Sequence, residues 1–384
     1  MTHILLIGAL PRSLINFRGD LLKALVSSGH KVTAMAEDAP PEIVQQLAEM
    51  GVAFRPFPVQ RNAMNPLGDI KTLLALRKAY SELQPDIVLA YTIKPVIWGG
   101  LALRGNRRVR FYALITGLGF AFQEGGLARR LLAALVSGLY KASFARAARV
   151  IFQNPDNRDL FIEKRLVPKE KCALVNGSGV DVDGFSVAPL PADGVVFLTI
   201  GRLLGEKGFR EYVQAARIVK ERYPDAVFRL VGPTDPSPDG IPLVEVQSWQ
   251  KAGCIEYLGE TKDVRPHLHV SSIFVLPSYY LEGIPRTILE ALAVGRPILT
   301  TDNAGCRETI VSGENGFLVP VRDAQALAER MIWFVEHRQE WQRMAERSRQ
   351  MAEERFDVHK VNADLMAIME LNPVNLAHAK PQSR

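Results

Sequence analysis

Thr199-Ile200-Gly201-Arg202-Leu203-Leu204-Gly205-Glu206-Lys207-Gly208 is an apolar run that opens into a loop with three glycines, one arginine and one lysine, directly before a helical pattern. The stretch predicts a strand, a glycine loop and a helix start, the unit from which parallel α/β sheets are built. Working outward, the second half of the chain repeats the unit. Apolar runs at Val195–Gly201, Ala226–Val231, Ile255–Leu258, Ile273–Pro277, Pro297–Thr300 and Gly316–Val319 alternate with longer helical patterns. The first half carries its own series at Ile4–Gly8, Lys31–Met35, Ala53–Pro56, Ile87–Tyr91, Arg110–Ile115, Val150–Gln153 and Cys172–Val175.

The chain has 384 residues, and single cores stop growing near roughly 250–300 residues. Two domains are therefore expected: residues 1–186, then residues 187–357 after the Pro-rich linker Val187 to Asp193. A last helix, about 358–370, is expected to pack back on the first domain, and 371–384 to form a flexible tail. The expected fold class is α/β, two doubly wound Rossmann-like domains facing each other across a cleft. Ligands of such sheets bind outside the carboxyl ends of the strands, so strand-to-helix loops carry the chemistry.

Composition narrows the function classes. With 47% hydrophobic and 23% charged residues the chain is an ordinary globular protein, not a disordered one. The uncharged run Phe111 to Gln123 is shorter than the ~20 residues of a spanning helix, and the start lacks the order of a secretory signal. A cytoplasmic location is expected. Cys172, Cys254 and Cys306 are scattered and odd in number, which suits reduced thiols better than bridges or a zinc site. Residues 1–186 hold 24 Lys and Arg against 15 Asp and Glu, a net +9, whereas the remainder holds 23 against 26, a net −3. The basic half calls for an anionic partner.

In the quoted loop, glycines permit close backbone approach, the helix start offers N–H donors, and Arg202 and Lys207 supply two cations for phosphate oxygens without a metal. Taken alone, the same residues equally fit a tight turn with solvated basic tips. Strand Ile273–Pro277 leads into Ser278-Tyr279-Tyr280-Leu281-Glu282-Gly283-Ile284-Pro285-Arg286-Thr287-Ile288-Leu289-Glu290. Pro285 and Arg286 mark a helix start, and Glu290 interrupts the apolar helix face behind them. A carboxylate there needs hydrogen-bond donors, and ribose hydroxyls can supply them. Taken singly, Glu282 reads rather as a loop acid and Glu290 as an ordinary exposed helix acid.

The order of these features is more specific than any one of them: Gly-Arg…Lys-Gly, Glu282-Gly-Ile-Pro…Glu290, Gly295-Arg296-Pro297, Gly305-Cys306-Arg307-Glu308-Thr309-Ile310 and Asn315-Gly316-Phe317-Leu318-Val319. It resembles the family 4 retaining nucleotide-sugar glycosyltransferases, which have the two-domain GT-B fold. The resemblance spans about residues 3–370. It implies that Arg202 and Lys207 bind the donor diphosphate, Glu290 the ribose and Glu282 the donor sugar. Backbone amides from Gly283 through Ile284, Pro285, Arg286 and Thr287 would line the sugar and β-phosphate, with Gly201 in the loop and Gly8 near the donor phosphates. UDP is the nucleotide the resemblance favours. Asp181-x-Asp183 sits in a Gly-Val-Asp…Phe segment that is not a metal site in this family, and His267 and His269 are two positions apart in a helical pattern, a poor ligand pair. No metal or cofactor is expected.

Acceptor choice falls to the first half, with Asn16 and Arg18 after the first strand, Arg61 and Asn62 before a helix, Lys94 in Tyr91-Thr92-Ile93-Lys94-Pro95, and Thr116 and Gly117 after the fifth strand. These segments are similar to those of bacterial N-acetylgalactosaminyltransferases acting on undecaprenyl-diphosphate-linked sugars. Many relatives carry a histidine near Asn16 or Ile93, and this chain has neither. Leu127 to Arg146 reads as an apolar and basic helix suited to an anionic membrane surface, which puts the protein on the inner face of the cell membrane. Lys94, Arg104, Arg107 and Arg108 are candidates for the lipid diphosphate. No nucleic-acid module surrounds the basic residues.

The expected reaction is metal-independent, retaining transfer of a sugar, an N-acetylhexosamine by resemblance, from a UDP-sugar to a polyprenyl-diphosphate-linked saccharide in bacterial surface glycan or glycoprotein-glycan assembly. A nucleotide-sugar epimerase of the same fold and a non-catalytic membrane-associated partner of a glycan assembly complex are the alternatives.

Overall fold

The computed structural model describes residues 1–60, 65–118, 122 and 126–371, the side chain of Ala128 excepted. Its described residues form two compact units, one within 1–178 together with 361–371, the other Gly179–Lys360.

In the first unit, β1 (His3–Ile7), α1 (Pro11–Asn16), α2 (Gly19–Ser27), β2 (Lys31–Ala36), α3 (Pro41–Glu49), β3 (Ala53–Pro56), α4 (Pro66–Leu83), β4 (Ile87–Tyr91), α5 (Ile93–Ala102), β5 (Arg110–Ile115), α6 (Leu127–Phe144), β6 (Ala147–Phe152), α7 (Pro155–Glu163) and β7 (Cys172–Leu174) follow one another. The sheet order is β3-β2-β1-β4-β5-β6-β7, and each recorded pairing is parallel, with Ile4 of β1 opposite Val32 on one side and Ile87 on the other. β1, β4 and β5 are near-continuous apolar runs because helices cover both faces. Edge strands β3 and β7 are short and only half-buried, which limits pairing with other chains.

Local chemistry places the helix starts. Asn65 accepts the N–H of Gly68 at 3.2 Å and Asn154 that of Asn157 at 2.8 Å, each with proline as the next residue. Such caps satisfy a donor the helix cannot.

The second unit contains β8 (Val196–Ile200), α8 (Phe209–Arg222), β9 (Val227–Val231), α9 (Leu243–Lys251), β10 (Glu256–Tyr257), α10 (Arg265–His269), β11 (Ile273–Leu276), α11 (Arg286–Val294), β12 (Ile298–Thr301), β13 (Gly316–Val319), α12 (Ala324–Glu336) and α13 (Trp341–Met351). Its parallel sheet has the order β10-β9-β8-β11-β12-β13. The last helix, α14 (Val358–Ile368), sends Val361, Leu365 and Met366 into the first unit's core beside Leu14, Leu21 and Leu22, and Tyr112 donates to the Met369 carbonyl at 3.1 Å.

Gly179–Pro189 folds with the second unit, so the expected boundary at 186/187 falls inside it. Val180 exchanges backbone hydrogen bonds with Phe356 and Val358. Arg349 donates to the carbonyls of Val182, Phe185 and Ala293, and the fully buried Arg296 to those of Ala188 and Pro189 as well as Leu268, Gly295 and His269. The chain order of apolar runs could not show that two guanidinium groups hold this segment.

Candidate active site

Connectivity in the second sheet runs outward from β8 through β9 to β10, then reverses to β11, so the order changes direction between β8 and β11. Ligands of open parallel sheets bind at such a switch point, beyond the strands' carboxyl ends. The loops that leave β8 and β11 are 201–208 and 277–285, the two stretches singled out in the sequence.

The first loop is braced by the one after β9. Leu203 N–H donates to Pro233 and Ile241 N–H to Leu203, while Gly205 N–H and Glu206 N–H donate to the carbonyl and the carboxylate of Asp239 at 2.9 and 3.0 Å. Arg202 Nη1 donates to Asp235, whose second oxygen accepts the N–H of Ser237 at 2.9 Å. Burial pushes the Asp235 carboxyl up, but the Ser237 hydrogen bonds and the Arg202 charge outweigh it, and the net shift is downward. Gly208 closes the loop with φ +76°, and a Cβ there would lie 2.0 Å from the Pro277 carbonyl oxygen. Only glycine allows the two loops to come this close.

Lys207 is buried in a 3-10 turn over 205–207, donates to Glu282 and lies 5.6 Å from the centre of the Tyr280 ring. The loop after β11 is pinned to the first by Tyr279 N–H, which donates to Glu206 at 2.8 Å, and to β12 and its loop by Thr301 and Asn303, which donate to the carbonyls of Ser278 and Tyr280. Gly283, Ile284 and Pro285 are buried, and Arg286 and Thr287 open α11 half-buried. The first turn of a helix has N–H groups without intrahelical acceptors.

Glu290 is 8% exposed and accepts from Arg286 Nε at 2.9 Å. Burial raises its pKa, and the Arg286 charge only partly opposes that. It is therefore not the exposed helix acid that its sequence position, taken singly, favoured. One switch point thus gathers two cations, each already paired with a carboxylate, and a buried acid one helical turn behind a third cation. Such a group of side chains can offer donors to a diphosphate and an acceptor to a hydroxylated ring.

In the first sheet the order reverses between β1 and β4. Gly8 follows β1, and a Cβ on it would lie 2.3 Å from the Tyr91 hydroxyl, so Tyr91 alone requires glycine there. That hydroxyl lies 2.7 Å from Ser13 Oγ, and burial raises its pKa to about 12. Arg18 is buried with its guanidinium 5.2 Å from the centre of the Tyr91 ring, while Asn16 is exposed at the end of α1. Lys94 pairs with Asp69 at 2.7 Å in the first turn of α5, and Thr116 and Gly117 follow β5 half-buried. Arg61 and Asn62 lie outside the described residues.

Arg104, Arg107 and Arg108 follow the carboxyl end of α5, the end opposite Lys94. A helix of this length separates the two groups by roughly 15 Å, so they do not converge on one diphosphate as the sequence allowed. Several residues escaped the sequence reading. Asp235 and Asp239 are visible only once β8 and β9 are known to be neighbours. Thr92 has φ +66°, and its buried Oγ1 has no hydrogen-bond partner among the described residues; that backbone conformation costs roughly 1–3 kcal/mol.

Among the described residues, no three His, Cys, Asp or Glu side chains converge as metal ligands would. Asp181 accepts the N–H groups of Asp183 and Gly184 at 3.1 and 2.9 Å, closing its own turn. The three cysteines are free, and burial raises Cys306 to about 12. No described helix is long and apolar enough to cross a membrane.

Comparison with known proteins fits this geometry. Residues 16–177 match the glycosyl transferase 4-like domain and residues 185–351 the glycosyl transferases group 1 domain. The chain is 28% identical over 337 residues, 84% of its length and 87% of the relative's, to the N,N'-diacetylbacillosaminyl-diphospho-undecaprenol alpha-1,3-N-acetylgalactosaminyltransferase of Campylobacter jejuni. It is 27% identical over 280 residues, 69% of its length and 70% of the relative's, to the UDP-Gal:alpha-D-GlcNAc-diphosphoundecaprenol alpha-1,3-galactosyltransferase of Escherichia coli. Among solved structures, a glycosyltransferase from Rickettsia africae superposes with a TM-score of 0.77 at 18% identity, over 96% of this chain and 98% of that one. HepE of Anabaena in complex with UDP does so at 0.76 and 18%, over 96% and 100%. The chain therefore belongs to the glycosyltransferases of GT-B fold, a glycosyl transferase 4-like domain followed by a group 1 domain.

Proposed function

We propose that the protein transfers a sugar, an N-acetylhexosamine, from a UDP-sugar to a saccharide carried on a polyprenyl diphosphate, with retention and without a metal, during assembly of a bacterial surface glycan or glycoprotein glycan. The observation that carries this reading is the arrangement at the β8–β11 switch point, where Arg202 and Lys207 flank a loop of close backbone approach with Glu282 and Glu290 beside it. Two relatives whose names specify undecaprenyl-diphosphate-linked substrates support the acceptor class.

In this reaction the bond from the anomeric carbon to the diphosphate breaks and a bond to an acceptor oxygen forms on the same face. The acceptor's proton passes to the departing phosphate oxygen. Charge grows on that phosphate and on an oxocarbenium-like ring, so positioned cations are the main requirement. Arg202 and Lys207 meet it, Glu290 holds the ribose hydroxyls, and Glu282 orients the sugar rather than attacking it. The protein works at the inner face of the membrane, where the basic, aliphatic helix α6 contacts anionic lipid.

The test is incubation with a panel of UDP-sugars, with and without a polyprenyl-diphosphate-linked sugar, in buffer containing EDTA. UDP release only with acceptor, and a product with the donor's anomeric configuration, is the expected result. Inversion at C2 without acceptor would make the protein an epimerase, and silence with every donor a non-catalytic partner. Activity restored only by a divalent cation would overturn the metal-free mechanism.

A further inference from the structure

The first unit exposes large aliphatic side chains on two of its helices in the same pattern. Leu67, Ile70 and Leu74 of α4 and Leu127, Leu131 and Leu135 of α6 are each between 51% and 74% exposed. The spacing keeps each trio on one helix face. α5 packs against both helices and lies between them. All three leave the carboxyl end of a strand in one parallel sheet and return to the amino end of the next, so they run the same way, and both trios occupy the amino-terminal halves of their helices. The two ridges therefore stand side by side at the end of the sheet that holds Tyr91 and Lys94.

Cations accompany both ridges. Lys71, Arg77 and Lys78 are exposed on α4, and Arg130 and Lys141 on α6. α6 contains no acid. On α4, Asp69 is paired with Lys94, and Glu82, at the far end, pairs with Arg55 and lies 3.8 Å from Lys78. An aliphatic strip backed by cations matches the acyl boundary and the anionic headgroups of a bilayer, with the longer side chains reaching up to phosphates.

We infer that α4 and α6 together form a two-ridged docking surface for an anionic phospholipid bilayer. It extends the membrane role beyond α6 alone and turns the carboxyl end of the first sheet toward the lipid. The inference rests on the proposed lipid-linked acceptor only for its purpose; the surface itself stands on exposure and charge. α4 was easily missed in the sequence, because an aliphatic run on a helix ordinarily reads as the face turned to the core.

The test is co-sedimentation of the full chain with vesicles of phosphatidylcholine alone or mixed with phosphatidylglycerol. Three variants are compared with the parent: Leu67→Asn/Ile70→Asn/Leu74→Asn, Leu127→Asn/Leu131→Asn/Leu135→Asn, and Lys71→Glu/Lys78→Glu. The parent should bind the anionic vesicles and only weakly the neutral ones. Each aliphatic triple should weaken partition by roughly a hundredfold, and the charge reversal by about tenfold or more. Circular dichroism and turnover of a water-soluble, short-chain acceptor should stay at parental values. An α4 triple that binds vesicles like the parent overturns the inference, as does equal binding to neutral vesicles. A parent dimer that the triples convert to a monomer overturns it too, since a second copy then covers the ridges. Failure of the soluble acceptor to react would instead count against the proposed reaction and leave vesicle binding as the separate readout of this surface.

Discussion

Replacing Lys207 by alanine removes one of the two cations of the proposed diphosphate site. Its side chain is about nine-tenths buried, and its ammonium touches Glu282 and lies 5.6 Å from the centre of the Tyr280 ring. Loss of one positioned donor at a developing oxyanion costs about 100- to 1,000-fold in kcat, or roughly 2.7–4 kcal/mol. The substitution also strips Glu282 of this partner. The pair is more buried than surface bridges worth about 0–1 kcal/mol and less than buried ones whose disruption costs about 3–5, so a stability loss of about 1–3 kcal/mol is expected. Steady-state kinetics with a UDP-sugar, calorimetry with UDP and urea unfolding separate these effects. Glu282→Gln provides the second corner of a double-mutant cycle: it frees Lys207 for phosphate, so UDP should bind no more weakly than before while kcat falls. The reasoning is refuted if folded Lys207→Ala stays within about threefold of the parent in kcat and binds UDP as well, since a transition-state contact must appear in kcat.

Three more outcomes follow from individual contacts. Glu290→Gln should weaken UDP binding by about tenfold, the worth of a charge-assisted hydrogen bond, yet not destabilise the fold at neutral pH. The Glu290 pKa is raised above 4.5 in the folded state, so its contribution to stability is full below 4.5 and lost as pH rises through the folded value; urea midpoints should therefore shift in the variant's favour across that window. Asp235→Asn, which loosens Arg202, should raise the KM for donor by about tenfold with kcat less affected, and Asp235→Glu should recover part of it. Arg296→Met removes five hydrogen bonds to backbone carbonyls, those of Leu268 and Gly295 buried, each worth about 0.5–1.5 kcal/mol, so thermal unfolding should drop by about 5 °C or more, an estimate scaled from about 2–4 °C per kcal/mol.

The thirteen strands among the described residues were legible because most lie in short apolar runs bounded by turn residues, a local signal that needs no knowledge of partners. Ends shifted where pairing extended them: β6 begins at Ala147, not Val150, because Ala147 pairs with Phe111 across an irregularity in register. The two site loops were legible for the same local reason, as glycine, cations and a helix start lie within ten residues. What the sequence hid was lateral. Asp235 meets Arg202 only because β8 and β9 adjoin, and the exposure of Leu67 or Leu131 depends on which helix face the sheet covers. The split between Lys94 and the three arginines after α5 likewise follows from helix length, which a count of charges ignores.

The two site cations differ in what they can do with a phosphate. Arg202 is 38% exposed, and a guanidinium has five N–H donors in a planar fork. It can keep Asp235 on one edge while presenting another to a phosphate oxygen, and Asp235, itself held by Ser237, fixes the direction of that edge. Lys207 has three donors on one nitrogen, crowded between Glu282 and Tyr280. For Lys207 to bind a phosphate, it has to loosen its hold on Glu282, which is then released for the contact with sugar hydroxyls proposed for it. In the proposed reaction Arg202 is thus a fixed anchor and Lys207 the member of an exchangeable pair. That difference is why Asp235→Asn is expected to change chiefly KM, whereas Glu282→Gln is expected to separate UDP affinity from turnover.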